Sequence, residues 1–192
     1  MARKSVAYHW DDVFDTEFAK ESDRAGVIIA VAMLDRVLET ILKAYLVPTD
    51  SPEDSLLEGA YAPIATFNAR IDLAYRLGLI SARFCRDLHL IRRIRNDFAH
   101  NISSCNFEDS SVHSRIIELV RSSTIIERDT KIRKRFPEGS RGDFQMIVSW
   151  MLWCLWSQSE EIHSTEPSDI EWGYWTEEME EDIEKEIKEQ KR

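Results

Sequence analysis

The chain has 192 residues, of which 43% are hydrophobic and 31% charged, and this globular composition excludes a globally disordered protein. With six glycines and five prolines it has few turns, which disfavours a many-stranded sandwich or barrel. Three cysteines without a CxxC spacing indicate neither a disulfide framework nor a zinc ribbon. We therefore expect a reducing, cytoplasmic setting and no metal or other cofactor.

The net charge of −10 is concentrated at the C-terminal end of the chain. Residues 158–192 hold 13 acidic and 4 basic side chains, whereas residues 1–157 hold 22 acidic and 21 basic ones. Within this near-neutral body, residues 70–95 carry seven arginines, including Arg92 and Arg93, against two acids. We predict a helical domain over residues 1–157 and an acidic helical extension over residues 158–192. No apolar run is long enough to cross a membrane, so no membrane partner is expected.

Two long helices are predicted in the N-terminal half, where apolar residues recur every three or four positions. Ser22 is expected to cap the first, which ends at Tyr45 shortly before Pro48 and Pro52. Residues 64–78 predict the second, and Gly78 suits its C-terminal end. A short helix over residues 11–18 is predicted to precede both.

Ser81 is expected to cap a third helix, in which the apolar line steps by four and three residues and includes Arg95. A fourth helix begins at Ser110 or Ser111, and we expect it to extend as far as Phe136, before a proline and a glycine.

The last two predicted helices differ sharply in character. Residues 144–156 are apolar nearly all round and predict a buried helix, with three tryptophans expected in the core or at an interface: Trp150, Trp153 and Trp156. From Thr176 onward the chain predicts an acidic helix that is solvated, mimics a nucleic acid, or covers the basic residues 70–95. The fold class that follows is all-α, a single bundle of five to seven helices.

Arg95 is the unusual member of the third helix, because its position in the apolar line directs it to the core. A buried guanidinium cannot be neutralised and needs a carboxylate, a phosphate or water. Asp35 holds a comparable position on the first long helix. We predict that Asp35 is a buried or half-buried partner of Arg92, Arg95 or His100. A purely structural ion pair that fixes helix register is the alternative.

Asn96 and His100 are four residues apart and share a helix face, whereas Arg95 and His100 lie ~140° apart around a regular helix. Arginine, amide and histidine together can hold a phosphate, orient it and move a proton near neutral pH. This set suits metal-independent RNA cleavage, in which a ribose 2′-hydroxyl attacks the adjacent phosphate. It equally suits a capped, hydrogen-bonded helix end.

The hexapeptide RNDFAH at residues 95–100 resembles the RNxxxH pattern of the HEPN superfamily, small helical bundles whose active members are dimeric ribonucleases. That resemblance implies catalytic roles for Arg95, Asn96 and His100. Three longer segments resemble the mannitol operon repressor family: ESDRAGVIIAVAMLDRVLETILKAYL at 21–46, LLEGAYAPIATFNARIDLAYRLGLIS at 56–81, and FCRDLHLIRRIRNDFAHN at 84–101. This second resemblance implies an all-helical cytoplasmic bacterial protein linked to repression of a sugar operon.

Two weaker patterns remain open. A basic run can bind phosphates or form a solvated helix end, and its members are Lys131, Arg133, Lys134 and Arg135. Cys85 and His89 are four apart and could share a metal ion, but no second pair has matching spacing. No pair of short helices joined by a tight glycine turn before a basic helix is evident, so a helix-turn-helix is not expected.

The leading functional prediction is a non-enzymatic transcriptional regulator of the mannitol-repressor type that acts through a protein partner. The alternative is a HEPN-type metal-independent ribonuclease or toxin that uses Arg95, Asn96 and His100. A homodimer is expected for either function. Direct binding of DNA or RNA stays open at this point.

Overall fold

The computed structural model describes residues 21–101, 105–123, 133–168 and 176–190. These ranges contain helices and connecting turns without a strand, which confirms the all-α prediction. Their helices are α1 (Asp23–Tyr45), α2 (Phe67–Arg76), α3 (Ala82–His100), α4 (Ser110–Ser122), α5 (Ser140–Ser159) and α6 (Glu177–Gln190). The helix predicted over residues 11–18 lies outside the described residues. Within them, no helix combines the length and hydropathy that a membrane span requires.

Helix starts follow the capping residues that the sequence offers. The Ser22 hydroxyl accepts a hydrogen bond from the Ala25 amide, and the Ser81 hydroxyl accepts one from Phe84, each at 3.2 Å. Both serines are the predicted caps of α1 and α3, and each satisfies an amide that has no partner inside the helix. Gly78 follows α2 with a φ of +75°, the left-handed conformation that its predicted place at the helix end requires.

The core lies around α1 and α3, the two long helices at the centre of the bundle. Helix α1 packs against α2, α3 and α5, and α3 packs against α1, α2 and α4. Phe98 of α3, Phe107 of the following loop and Phe144 of α5 form a chain of buried rings, with centroids 5.3 and 5.4 Å apart. Aromatic burial therefore joins the C-terminal end of α3 to the start of α5.

The apolar line of α3 passes through Ile94 and not through Arg95, which corrects the sequence-based prediction. Ile91, Ile94 and Phe98 are fully buried, whereas Arg95 is exposed. At 3.6 residues per turn, both the third and the fourth residue after Ile91 lie near the same face. The apolar isoleucine occupies the inner position, because an arginine there would lose its hydration.

Two further expectations for helices need correction. Helix α4 ends at Ser122, and Phe136 lies in a turn that precedes α5. Trp150 and Trp153 are 38% and 42% exposed and stack on each other with ring centroids 4.8 Å apart, so the helix is not buried all round. Of the two places predicted for these tryptophans, core or interface, the core is excluded for this pair. Trp156 packs against the core as predicted.

Helix α6 has no buried residue. Before it, the Thr165 amide donates to the Tyr45 carbonyl at 2.7 Å. Residues 177–190 thus form a solvated helix, and this helix does not cover the basic residues of the body.

Asp35 has a different partner from the three that the sequence predicts. The buried Arg70 of α2 donates to Asp35 at 2.8 Å, and its guanidinium also lies 3.2 Å from the carboxylate of the buried Glu39. Asp35 itself is half-buried, as predicted. Arg92, Arg95 and His100 take no part in the pair, because Arg70 reaches the acids of α1 from the side on which α2 packs.

Arg70 also holds the loop between α1 and α2. Its Nε donates to the Ile64 carbonyl at 3.1 Å, and its Nη2 donates to the Leu57 carbonyl at 3.2 Å. Burial raises the pKa of the Glu39 carboxyl, but the hydrogen bond from Lys43 and the charge of Arg70 outweigh burial and leave that pKa below its usual value. One guanidinium therefore satisfies two carboxylates and two backbone carbonyls.

Replacing Arg70 by methionine is expected to reduce the free energy of unfolding by about 3–5 kcal/mol, because Glu39 would remain buried without its cation. Chemical denaturation followed by circular dichroism measures this loss. The control is Arg76→Met, an exposed arginine on the same helix, for which we expect a change within about 0.5 kcal/mol. Equal effects of the two substitutions would contradict the structural role of Arg70.

Candidate functional site

The last two turns of α3 bring the predicted catalytic residues to the surface. Arg95 and His100 are exposed and Asn96 is half-buried. The expectation that Arg95 enters the core is wrong, and the buried Arg95–Asp35 pair that would have made the motif purely structural is not formed. All three side chains face solvent to some degree at one end of the bundle.

The residues between them hold this helix end in place. Asp97 accepts hydrogen bonds from the Arg115 guanidinium and, at 3.2 Å, from the Ser111 hydroxyl, both on α4. Phe98 is fully buried against Phe107. Inside the hexapeptide RNDFAH, aspartate and phenylalanine therefore attach α3 to the bundle, while arginine, asparagine and histidine have no comparable structural contact to α4 or the core.

A second attachment comes from α1. The Arg24 guanidinium donates to the Asn101 carbonyl at 2.6 Å, where α3 ends. A cation at this end is favourable because helix carbonyls without partners carry partial negative charge there. The position of His100, the preceding residue, is thus fixed by contacts on both sides of the helix.

The three side chains are arranged as helix geometry dictates. The Arg95 guanidinium donates to the Asn96 amide oxygen at 3.1 Å, which leaves the amide N–H groups of Asn96 as donors for a ligand. Asn96 and His100 share a face, and Arg95 projects ~140° away from His100. One chain therefore presents the histidine and the arginine in different directions.

The face shared by Asn96 and His100 continues toward the middle of α3. Arg93 is exposed on this face, three residues before Asn96, and it lines a cavity of about 420 Å³ together with His89. Arg92 is half-buried, and its Nε is buried without a hydrogen-bond partner among the described residues. Arg93 is the better placed of the two to contact an anion that also reaches Asn96.

The basic run before α5 contributes less than the sequence suggests. Arg133 donates to the Pro137 carbonyl at 2.7 Å and pairs with Asp143 at 2.9 Å. Its guanidinium therefore stabilises the turn that leads into α5. Lys134 and Arg135 are exposed. Lys131 lies outside the described residues. The prediction that Arg133 binds phosphate is not supported, because its guanidinium is committed to neighbouring groups.

Asp72 of α2 is a site residue that the sequence analysis missed. Its Oδ1 lies 3.1 Å from Nε2 of His89 on α3, and Cys85 lies in the same cluster. The four-residue spacing of Cys85 and His89 is visible in the sequence. The addition of Asp72 depends on how α2 folds back onto α3, and no local pattern reports that.

The three cysteines do not have the properties of activated nucleophiles. Burial raises the pKa of each thiol, and at Cys85 the nearby charge of Asp72 raises that pKa further. Reactive cysteines need the opposite shift, since the thiolate is the nucleophile. None of the three thiols therefore shows the lowered pKa of an activated nucleophile.

Gly78 has a positive φ in the turn of residues 77–81 that joins α2 to the basic helix α3. Helix α3 has 19 residues and packs against α1, α2 and α4. It is therefore not one of a pair of short helices, and nothing in this turn contradicts the prediction that a helix-turn-helix is absent.

Comparison of the chain with protein-family models, with curated proteins and with solved structures found no match. The function is therefore argued from the residues of α3 and their surroundings.

Proposed function

We propose that the end of α3 is an RNA-cleaving site of the HEPN type, with Arg95, Asn96 and His100 as its working residues. The observation that carries this proposal is the division inside RNDFAH: Asp97 and Phe98 attach the helix, while Arg95 and His100 are exposed. Among the described residues, neither side chain is hydrogen-bonded to another helix, so both are available for a ligand. The resemblance to the HEPN superfamily supports the same assignment.

The residue types provide the chemistry of phosphodiester cleavage without a metal ion. Arg95 binds the phosphate and stabilises the charge that develops on it. His100 takes the proton from the 2′-hydroxyl, whose oxygen forms a bond to phosphorus while the bond from phosphorus to the 5′-oxygen breaks. A proton then returns to the 5′-oxygen. The free amide hydrogens of Asn96 orient the phosphate between Arg95 and His100.

A dimer is part of this proposal, because one chain presents Arg95 and His100 in different directions. A two-fold axis near the end of α3 would place Arg95 of one protomer opposite His100 of its partner, and it would do so twice. Each of the two composite sites would then contain the complete set of groups.

The first test is RNA cleavage in the presence of a chelator, with labelled tRNA and total RNA as substrates. Purified protein is expected to cleave, and His100→Ala is expected to reduce the rate at least about 100-fold, the usual contribution of a general acid or base. His163→Ala is the matched control, because His163 is exposed and lies outside the bundle helices. Cleavage that survives His100→Ala, or absence of cleavage by the parent, would contradict the proposal.

A second candidate function is a transcriptional regulator of the mannitol-repressor type that acts through a protein partner. The exposed, stacked pair of Trp150 and Trp153 favours it, because such aromatic pairs commonly form the centre of a protein interface. The resemblance of residues 21–101 to that family supports a cytoplasmic regulator.

This second function predicts no measurable binding to duplex DNA from the host's upstream regions at physiological salt. It also predicts that a captured regulatory protein is lost when Trp150 and Trp153 are both changed to alanine. Tyr61→Ala is the control, since Tyr61 is a fully exposed aromatic residue elsewhere. DNA affinity that falls steeply with salt would argue against this function. So would equal capture of the regulatory protein by the parent, the double tryptophan variant and Tyr61→Ala.

A further inference from the structure

The side chains of Asp72, Cys85 and His89 converge between α2 and α3. Their ligand atoms, one from each residue, lie within 4.8 Å of one another. Cys85 and His89 follow each other by one turn on α3, and Asp72 approaches them from α2, with its Oδ1 3.1 Å from His89 Nε2. Three residue types that bind transition metals thus meet where two helices pack together.

The distances are close to those of a tetrahedral zinc site. Nitrogen and oxygen ligands at 2.0–2.1 Å from zinc lie ~3.3 Å from each other, and a sulfur ligand at 2.3 Å lies ~3.5 Å from them. The Nε2–Oδ1 distance of 3.1 Å already agrees with the first value. The Cys85 sulfur lies within 4.8 Å of both atoms.

One neighbouring contact supports the Asp72 ligand. Asn68 donates to the other carboxylate oxygen of Asp72 at 2.9 Å, which orients Oδ1 toward the histidine. Contacts of this kind support metal ligands in proteins. In the metal-free protein the Asp72 Oδ1 accepts the hydrogen of His89 Nε2, so a metal ion would replace that proton between the two atoms.

We propose that Asp72, Cys85 and His89 bind one zinc ion, which joins α2 to α3. A thiolate, a carboxylate and a neutral imidazole together balance the charge of a divalent cation, and the thiolate selects zinc over magnesium or calcium. Cys85 and His89 also line the cavity of about 420 Å³, together with Arg86, Arg93 and Glu118, and water in this open cavity is the expected fourth ligand. This site is independent of the RNA-cleavage proposal, which needs no metal.

Cobalt(II) titration of the metal-free full-length protein tests the site, because cobalt in a tetrahedral site with a thiolate ligand gives characteristic absorption. We expect one cobalt ion per chain, with a thiolate-to-metal charge-transfer band that zinc displaces. Cys85→Ser is expected to abolish the band. Asp72→Asn and His89→Gln are expected to weaken zinc binding at least about tenfold in a competition assay with a chelating dye.

Matched controls separate the cluster from other groups of the same type. Cys154→Ser changes another half-buried cysteine, and His163→Gln changes an exposed histidine outside the cluster; both are expected to bind zinc as the parent does. Asp72 is exposed, so Asp72→Asn tests the site without disturbing the core. Absence of stoichiometric binding, or binding that Asp72→Asn or Cys85→Ser leaves unchanged, would overturn the proposal.

Discussion

The buried guanidinium of Arg70 is the interaction on which the arrangement of the bundle depends. Helix α1 turns Glu39 into the protein and leaves Asp35 half-buried, and two carboxylates so placed would repel each other without a cation between them. Arg70 supplies that cation and also binds the loop carbonyls of Leu57 and Ile64. Helices α1 and α2 and their connection are therefore fixed by one side chain.

This arrangement does not involve the side chains at the C-terminal end of α3. Arg70 satisfies Asp35 and Glu39, and Ile94 takes the inner position on α3, so Arg95 remains at the surface. Asp97 and Phe98 attach the end of α3 to the bundle. Arg95 and His100, the residues proposed to act on a phosphate, are exposed beside them. The proposed zinc ligands Cys85 and His89 lie nearer the start of the same helix. Because the proposed cleavage needs no metal, treatment with a chelator separates the two proposals experimentally.

The sequence predicted much of the fold because capping residues and apolar spacing are local signals. Ser22 and Ser81 mark two helix starts correctly, and Gly78 marks a helix end. Errors arose where a choice depended on packing between helices. Spacing alone could not choose between Ile94 and Arg95 for the inner position, nor could it show that Arg70 reaches Asp35 from α2. The same holds for the candidate sites. The motif RNDFAH can be read from the sequence, whereas the proximity of Asp72 to Cys85 and His89 depends on how α2 packs against α3.

The central claim is that Arg95 and His100 act together, one from each protomer, on a phosphodiester. Co-expression of Arg95→Ala and His100→Ala chains with different affinity tags allows the mixed dimer to be isolated and its RNA cleavage measured. The mixed dimer contains one intact composite site of two, so it should recover about half of the parent activity, while each variant homodimer is inactive. A mixed dimer no more active than the homodimers would contradict the claim.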